Sequence, residues 1–388
     1  MENKYFIQLK WLLIGSLITS TAMSFIWPLN TIYMHNTLHQ TLTVAGIVLG
    51  VNQLATMLGN WLGGILFDQW SIYYTSLVGV MINILALGLL IFLNSWPIYA
   101  FLIVLSGFSN GILTTCIYSL ATRVQNKKTS SIFNMLYFTS NFGLVFGTLA
   151  VGYLLKIGVS YIFTLASLTQ VIFLIIVIRY FNIVNYNKGY SKKKVVVKGK
   201  FLIWSVLLAL LLSWVVYTQW QSNLSAYMLG KGFSIKQYSF LWTLNAVLII
   251  TFQPVLTLFN DFLIKHIISR INVGLFLFAV AFFILLLNHN YFILGISMAF
   301  LTFGEILLFP GVASLVDIYA PNNESGIYQG LVQMFTAGGK AVGPFIGAAI
   351  IDCSNYKVLF LCLVLIIMAA IFIFSFSVYQ NKRHALDQ

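Results

Sequence analysis

Glu305 is the only charge in the apolar run Tyr291–Val316. As a helix rising 1.5 Å per residue the run is about 39 Å long, more than a bilayer's hydrocarbon core of about 30 Å. Runs of this kind fill the chain. Of 388 residues 60% are hydrophobic and only 7% charged, against about 25% charged in soluble domains, which excludes a water-soluble fold. Loops carrying charges, Asn or Pro divide the runs into twelve expected membrane spans. They lie near 11–33, 43–66, 74–93, 97–121, 131–154 and 160–182, then 201–225, 238–259, 271–287, 291–316, 327–350 and 357–379. The expected fold is an all-α membrane protein with twelve transmembrane helices in two six-helix bundles. The first run lacks a small-residue cleavage site and reads as a retained span.

The longest polar insertion, Asn185–Lys200, separates the two sets of six. The expected domains are residues 1–184, a loop over 185–200, and residues 201–388. The formal net charge of +13 does not point to nucleic acid, because the charges sit in short loops between apolar runs. With an even number of spans both termini share a side. Sixteen of the lysines and arginines fall on that side, Arg270 among them as a loop charge. Four (Lys156, Lys231, Lys236 and Lys357) fall on the other, and Lys340 lies within a span. The bias places both termini and the central loop in the cytoplasm. Cys116, Cys353 and Cys362 have neither CxxC nor metal-ligand spacing, and no cofactor is expected.

The halves echo each other. Gly143 and Gly147 in the fifth span correspond to Gly339 and Gly343 in the eleventh. Small residues four apart let helix backbones approach closely, and at equivalent places they point to a duplicated transporter fold. Polar residues also recur at spacing four: Ser16, Ser20 and Ser24; Ser106, Asn110 and Thr114; Ser213, Tyr217 and Gln221. Each set shares a helix face and either bonds neighbouring helices or lines a pore.

No enzyme constellation is present. There is no HExxH, and no GxxxxGK[ST] loop to hold ATP, so uphill transport has to draw on an ion gradient. A carboxylate near mid-span costs about 2.5–3.5 kcal/mol even on the translocon scale. Glu305 is therefore the candidate proton-coupling residue. Thr302 and Phe309 share its helix face, and Pro310 frees a carbonyl near Ile306. Tyr217, Trp220, Gln221, Trp242 and Asn245, with Asn110 and Phe309, are candidates for an aromatic, mostly uncharged substrate cavity suited to hydrophobic cations and flat amphipathic molecules. Lys340 is the other charge expected within a span, and Glu305 is its default partner. Asp68 and Arg123 end the second and fourth spans, where a pair formed in one conformation would act as a cytoplasmic latch; Asp317 has a similar place in the tenth.

These residues resemble the major facilitator superfamily, and within it the twelve-span drug:proton antiporters. Gly64-Ile-Leu-Phe-Asp68 is similar to the start of the family's loop motif, without its basic tail. Gly143, Gly147 and Gly152 resemble the fifth-helix antiporter motif, with Thr148 in place of its Pro, and Gly107 stands where a fourth-helix arginine is expected. Tyr217-Thr-Gln-Trp-Gln-Ser222, Trp242-Thr-Leu-Asn245, Phe303-Gly-Glu305 and Gly339-Lys340…Gly343-Pro344 look like a bacterial multidrug-efflux branch. Leu136 and Gln221 stand where some relatives carry further acids. The resemblance implies a monomeric plasma-membrane transporter with a cavity between its bundles. It would export hydrophobic or amphipathic small molecules in exchange for protons by alternating access, with the proton role on Glu305 and the latch role on Asp68. A proton symporter importing a metabolite, or a membrane sensor that transports nothing, are the alternatives.

Overall fold

The computed structural model describes residues 6–154, 157–183, 199–287, 290–321 and 324–386. Apart from one bridge between Ile7 and Val124, the regular structure among them is helical. In the first half the helices are α1 (Leu9–Asn36), α2 (Leu42–Gln69), α3 (Ile72–Phe92), α4 (Ile98–Leu120), α5 (Thr129–Leu154) and α6 (Val159–Tyr180), with a 3-10 turn at Ala121–Arg123. The second half holds α7 (Lys200–Gln221), α8 (Asn223–Gly230), α9 (Ile235–Leu258), α10 (Asn260–Lys265), α11 (Ile267–Leu287), α12 (Tyr291–Tyr319), α13 (Ser325–Cys353) and α14 (Tyr356–Leu386). Eleven helical segments among the described residues are long and apolar enough to cross a membrane, and the 26-residue α5 supplies a twelfth long helix.

These helices are apolar on nearly every side, which in water would be unstable and in lipid is required. Phe92, Leu258, Phe292 and Phe372 are among the most exposed large side chains, as expected of a surface that meets acyl chains. Polar residues mark the ends instead. Thr41 and Ser71 cap α2 and α3 through their hydroxyls, and Ser234 with Gln237 forms a capping box that opens α9.

The chain forms two compact units. The first comprises Met1–Val195 with Ala320–Ala337, so it takes in the start of α13. Within it α1 packs against α5 and α6, α2 against α4, and α3 against α4 and α6. The second comprises Val196–Tyr319 with Gly338–Gln388, where α7 packs on α14 and α12, and α11 on α12 and α14. The duplicated glycines make the same contact in each unit. A Cβ built on Gly143 lies 2.6 Å from the Leu17 carbonyl oxygen, and one on Gly339 lies 2.6 Å from that of Leu211. Any larger residue would force these backbones apart.

Two boundaries differ from the sequence reading. The expected span 201–225 breaks after Gln221 and resumes as α8, which carries it to Gly230. The expected span 271–287 begins at Ile267, which takes Arg270 out of the loop and into a helix. The central loop 185–200 lies outside the described residues apart from Gly199 and Lys200. Serines of the polar stripes bond to other helices: Ser16 Oγ lies 3.0 Å from Ser140 Oγ, Ser24 Oγ donates to the Gly143 carbonyl, and Ser106 Oγ donates to Asn83 Oδ1. For these serines the structure favours packing over pore lining.

Candidate functional site

Glu305 is 2% exposed. Its position halfway along α12 puts its carboxyl against α7 and α9. Asn245 Nδ2 of α9 donates to Glu305 Oε2 at 2.9 Å and also to Thr302 Oγ1 at 2.9 Å. Thr302 in turn donates to the Met298 carbonyl one turn earlier. From α7, Tyr217 Oη donates to Glu305 Oε1 at 3.3 Å. Two neighbouring helices thus hold the carboxyl through an amide and a phenol, both neutral.

Aromatic rings surround these groups. Phe309, one turn past Glu305, stacks on Trp214 with centroids 4.4 Å apart and planes at 5°. Tyr217 meets Phe309, Trp214 and Trp242 edge-on at centroid distances of 6.0, 5.1 and 6.2 Å. Lys340 of α13 reaches the same cluster. Its Nζ lies 4.1 Å from the Trp214 ring centroid, brought there by the close approach of α13 to α7 at Gly339. Lys340 and Glu305, its default partner, act on each other electrostatically but without a salt bridge within 4 Å: the ammonium rests on an aromatic face and Glu305 takes Tyr217 and Asn245.

Just beyond Glu305 the continuous helix carries Pro310, which has no N–H for the Ile306 carbonyl. The freed oxygen is not left to bend the helix at will. Arg270 of α11, 4% exposed, donates from Nη2 to Ile306 O at 3.3 Å and from Nε to Leu307 O at 2.9 Å. Gly311 leaves room for it, because a Cβ there would lie 3.3 Å from Arg270 Nε. Reading Arg270 as a solvated loop charge is thereby corrected. The signal that could have found it was the pair itself: a carbonyl released by a mid-span proline and an arginine at the edge of the preceding apolar run.

The remaining candidates are scattered. Trp220 is fully buried and its carbonyl accepts from Tyr238 Oη at 2.8 Å; Gln221 is half-buried at the end of α7. Asn110 belongs to the first unit, on α4, where its carbonyl accepts from Thr114 Oγ1. Asp68 ends α2, and its two oxygens accept from the backbone N–H groups of Gly326 and Ile327 at 2.9 and 2.7 Å. It caps the first turn of α13 and also feels the charge of Arg123, the expected latch partner, whose Nε has no hydrogen-bond partner. The helix terminus offers two aligned donors, one to each carboxylate oxygen. Asp317 is half-buried near the end of α12.

Comparison with known proteins agrees with this architecture. Residues 12–344 match the family model of the Major Facilitator Superfamily. The chain is 33% identical over 371 residues to the MFS-type transporter YttB of Bacillus subtilis (strain 168), covering 94% of this chain and 93% of that one. It is similar at 23% identity to a second transporter of that organism, YqjV, over 88% of its length and 85% of the relative's. Among solved structures, a bacterial homologue of the iron transporter ferroportin in an outward-facing state superposes with a TM-score of 0.78 at 14% identity, over 96% of this chain and 99% of that one. The human organic anion transporter MFSD10 does so with a TM-score of 0.76 at 12% identity, over 94% and 98%; at such identities the likeness is one of fold. The protein is a multi-pass membrane transporter and belongs to the Major Facilitator Superfamily.

Proposed function

We propose that this transporter couples the export of hydrophobic or amphipathic small molecules to proton entry, by alternating access. Glu305 is the group that carries the proton, and both termini lie in the cytoplasm. The observation that carries the reading is the carboxyl of Glu305, withdrawn from solvent and held by Tyr217 and Asn245 beside an aromatic cluster. A phenol can donate or accept, so Tyr217 accommodates the carboxyl in either protonation state. Exclusion from water ties its charge to the access of protons, and aromatic faces supply apolar contact area for a substrate.

Proteoliposomes with an imposed pH gradient test the assignment. Glu305→Gln keeps the size and hydrogen bonding of the protonated acid but cannot release a proton. It is expected to insert normally, lose gradient-driven accumulation and retain exchange down the substrate's own gradient. Glu305→Asp is expected to keep partial coupling. Full pH-driven transport by the Gln variant removes Glu305 from the mechanism. The direction of substrate-evoked pH change in inverted vesicles separates antiport from proton-coupled import.

A further inference from the structure

The aromatic cluster of the second unit holds two opposite charges, and they are not equally provided for. Glu305 is 2% exposed and takes hydrogen bonds from Asn245 and Tyr217. Lys340 is half-buried and rests on one face of Trp214. Because Phe309 is stacked parallel on the same indole at 4.4 Å, the ammonium, 4.1 Å from the centroid, occupies the opposite face. Among the described residues no carboxylate lies within 4 Å of Lys340 Nζ, Glu305 acting on it only from beyond that distance, and no hydrogen-bond acceptor meets it. An ammonium has three donor directions, and the indole face answers only one. A lysine snorkelling to a membrane surface would run along its helix toward the headgroups; this one lies across α7.

We propose that Lys340, set on Trp214, binds the anionic group of an amphipathic substrate, in the first place a carboxylate, whose apolar part lies against the neighbouring rings. The inference rests on the reading of this cluster as the substrate site and narrows its substrate class. A cationic substrate would have to draw Glu305 away from two donors it already has. An anionic one meets an ammonium with donors to spare and a flat, polarizable surface beside it. The indole also holds the ammonium in place when no substrate is bound.

Three probes share one ring and differ only in charge: indole-3-acetate, its neutral amide, and the cation tryptamine. Equilibrium binding of each to the full chain in nanodiscs, at one fixed pH and without a gradient, tests the proposal. Saturable binding of indole-3-acetate is expected, with the amide and the amine at least about tenfold weaker, the scale of a hydrogen bond to a charged group. Lys340→Met should lose about tenfold for the carboxylate alone, and Lys340→Arg should stay within about threefold of the parent. Equal or tighter binding of the amide or of tryptamine overturns the proposal, as does no binding of indole-3-acetate at millimolar concentration. Unchanged affinity in Lys340→Met also overturns it. If that variant does not fold, the order of the three probes on the unaltered protein still decides. No proton movement is read, so the outcome is independent of whether Glu305 carries the coupled proton.

Discussion

The two hydrogen bonds that hold Glu305 are not equivalent, and the difference can be measured. Asn245 donates at 2.9 Å and bridges to Thr302, while the Tyr217 phenol donates at 3.3 Å. Asn245→Leu leaves a buried carboxyl oxygen without its best donor, a loss of about 1–3 kcal/mol. Initial rates of pH-driven transport are expected to fall by roughly tenfold or more. Tyr217→Phe removes the longer bond but keeps the ring against Phe309 and Trp242, and is expected to cost about threefold. Rates that fell more in Tyr217→Phe would make the phenol the principal partner. At this scale the sequence is informative where chemistry is costly. A carboxylate amid apolar residues stands out, and helical spacing carries Thr302 and Phe309 with it. Tyr217 and Asn245 were legible as polar groups on neighbouring spans. Trp214 was not, because a tryptophan in an apolar run carries no sign of which charge it faces. The opposite charges of Lys340 and Glu305 were legible and do act on each other, but the indole face on which the lysine rests was not.

At the scale of elements, Pro310 and Arg270 act as one device. The proline denies Ile306 O its usual donor, and the guanidinium supplies another from α11. Arg270→Met is therefore expected to lower stability by about 1–3 kcal/mol, the cost of a buried acceptor left unsatisfied. Pro310→Ala restores an N–H aimed at that carbonyl. In its background Arg270→Met should cost clearly less, giving a coupling energy of about 0.5–3 kcal/mol in the double-mutant cycle. Thermal unfolding of the four proteins in one detergent reads the cycle. Additive losses would mean that Arg270 acts elsewhere. The proline and its freed carbonyl were legible in the sequence, whereas the donor was not. Hydropathy assigned Arg270 to a loop because a single arginine pulls a span boundary toward itself. The break between α7 and α8 escaped for the opposite reason, as Gln221, Ser222 and Asn223 are too few polar residues to end an otherwise apolar run.

Across the whole molecule, lipid makes the sequence unusually readable. A bilayer admits only long helices with satisfied backbones, so apolar runs of suitable length almost enumerate the elements. Glycines at matching places in the fifth and eleventh runs foretold the shared contact made at Gly143 and Gly339. Topology follows from charge. On the proposed orientation, with both termini cytoplasmic, a cysteine replacing Asn126, beside Lys127 and Lys128, is expected to react with impermeant maleimide only in inverted vesicles. Reaction in intact cells would reverse the orientation. What composition could not foretell is that α13 belongs to both compact units. Asp68 secures its first turn, within the first unit, through two backbone amides. A carboxylate at a helix N-terminus is worth about 0.5–2 kcal/mol, which is comparable to the gap between conformers of a transporter near balance. Asp68→Ala removes both acceptors and Asp68→Asn leaves one neutral oxygen. We therefore expect both to shift the resting population toward the inward-open form, by about 2- to 30-fold for Ala and less for Asn. Spin labels at positions 126 and 266, both on the side assigned to the cytoplasm, read the shift as growth of a longer-distance population. Arg123→Gln should change it little, because Asp68 is held by the helix start. A distribution unchanged in Asp68→Ala would reduce this carboxylate to a local cap with no part in the conformational balance.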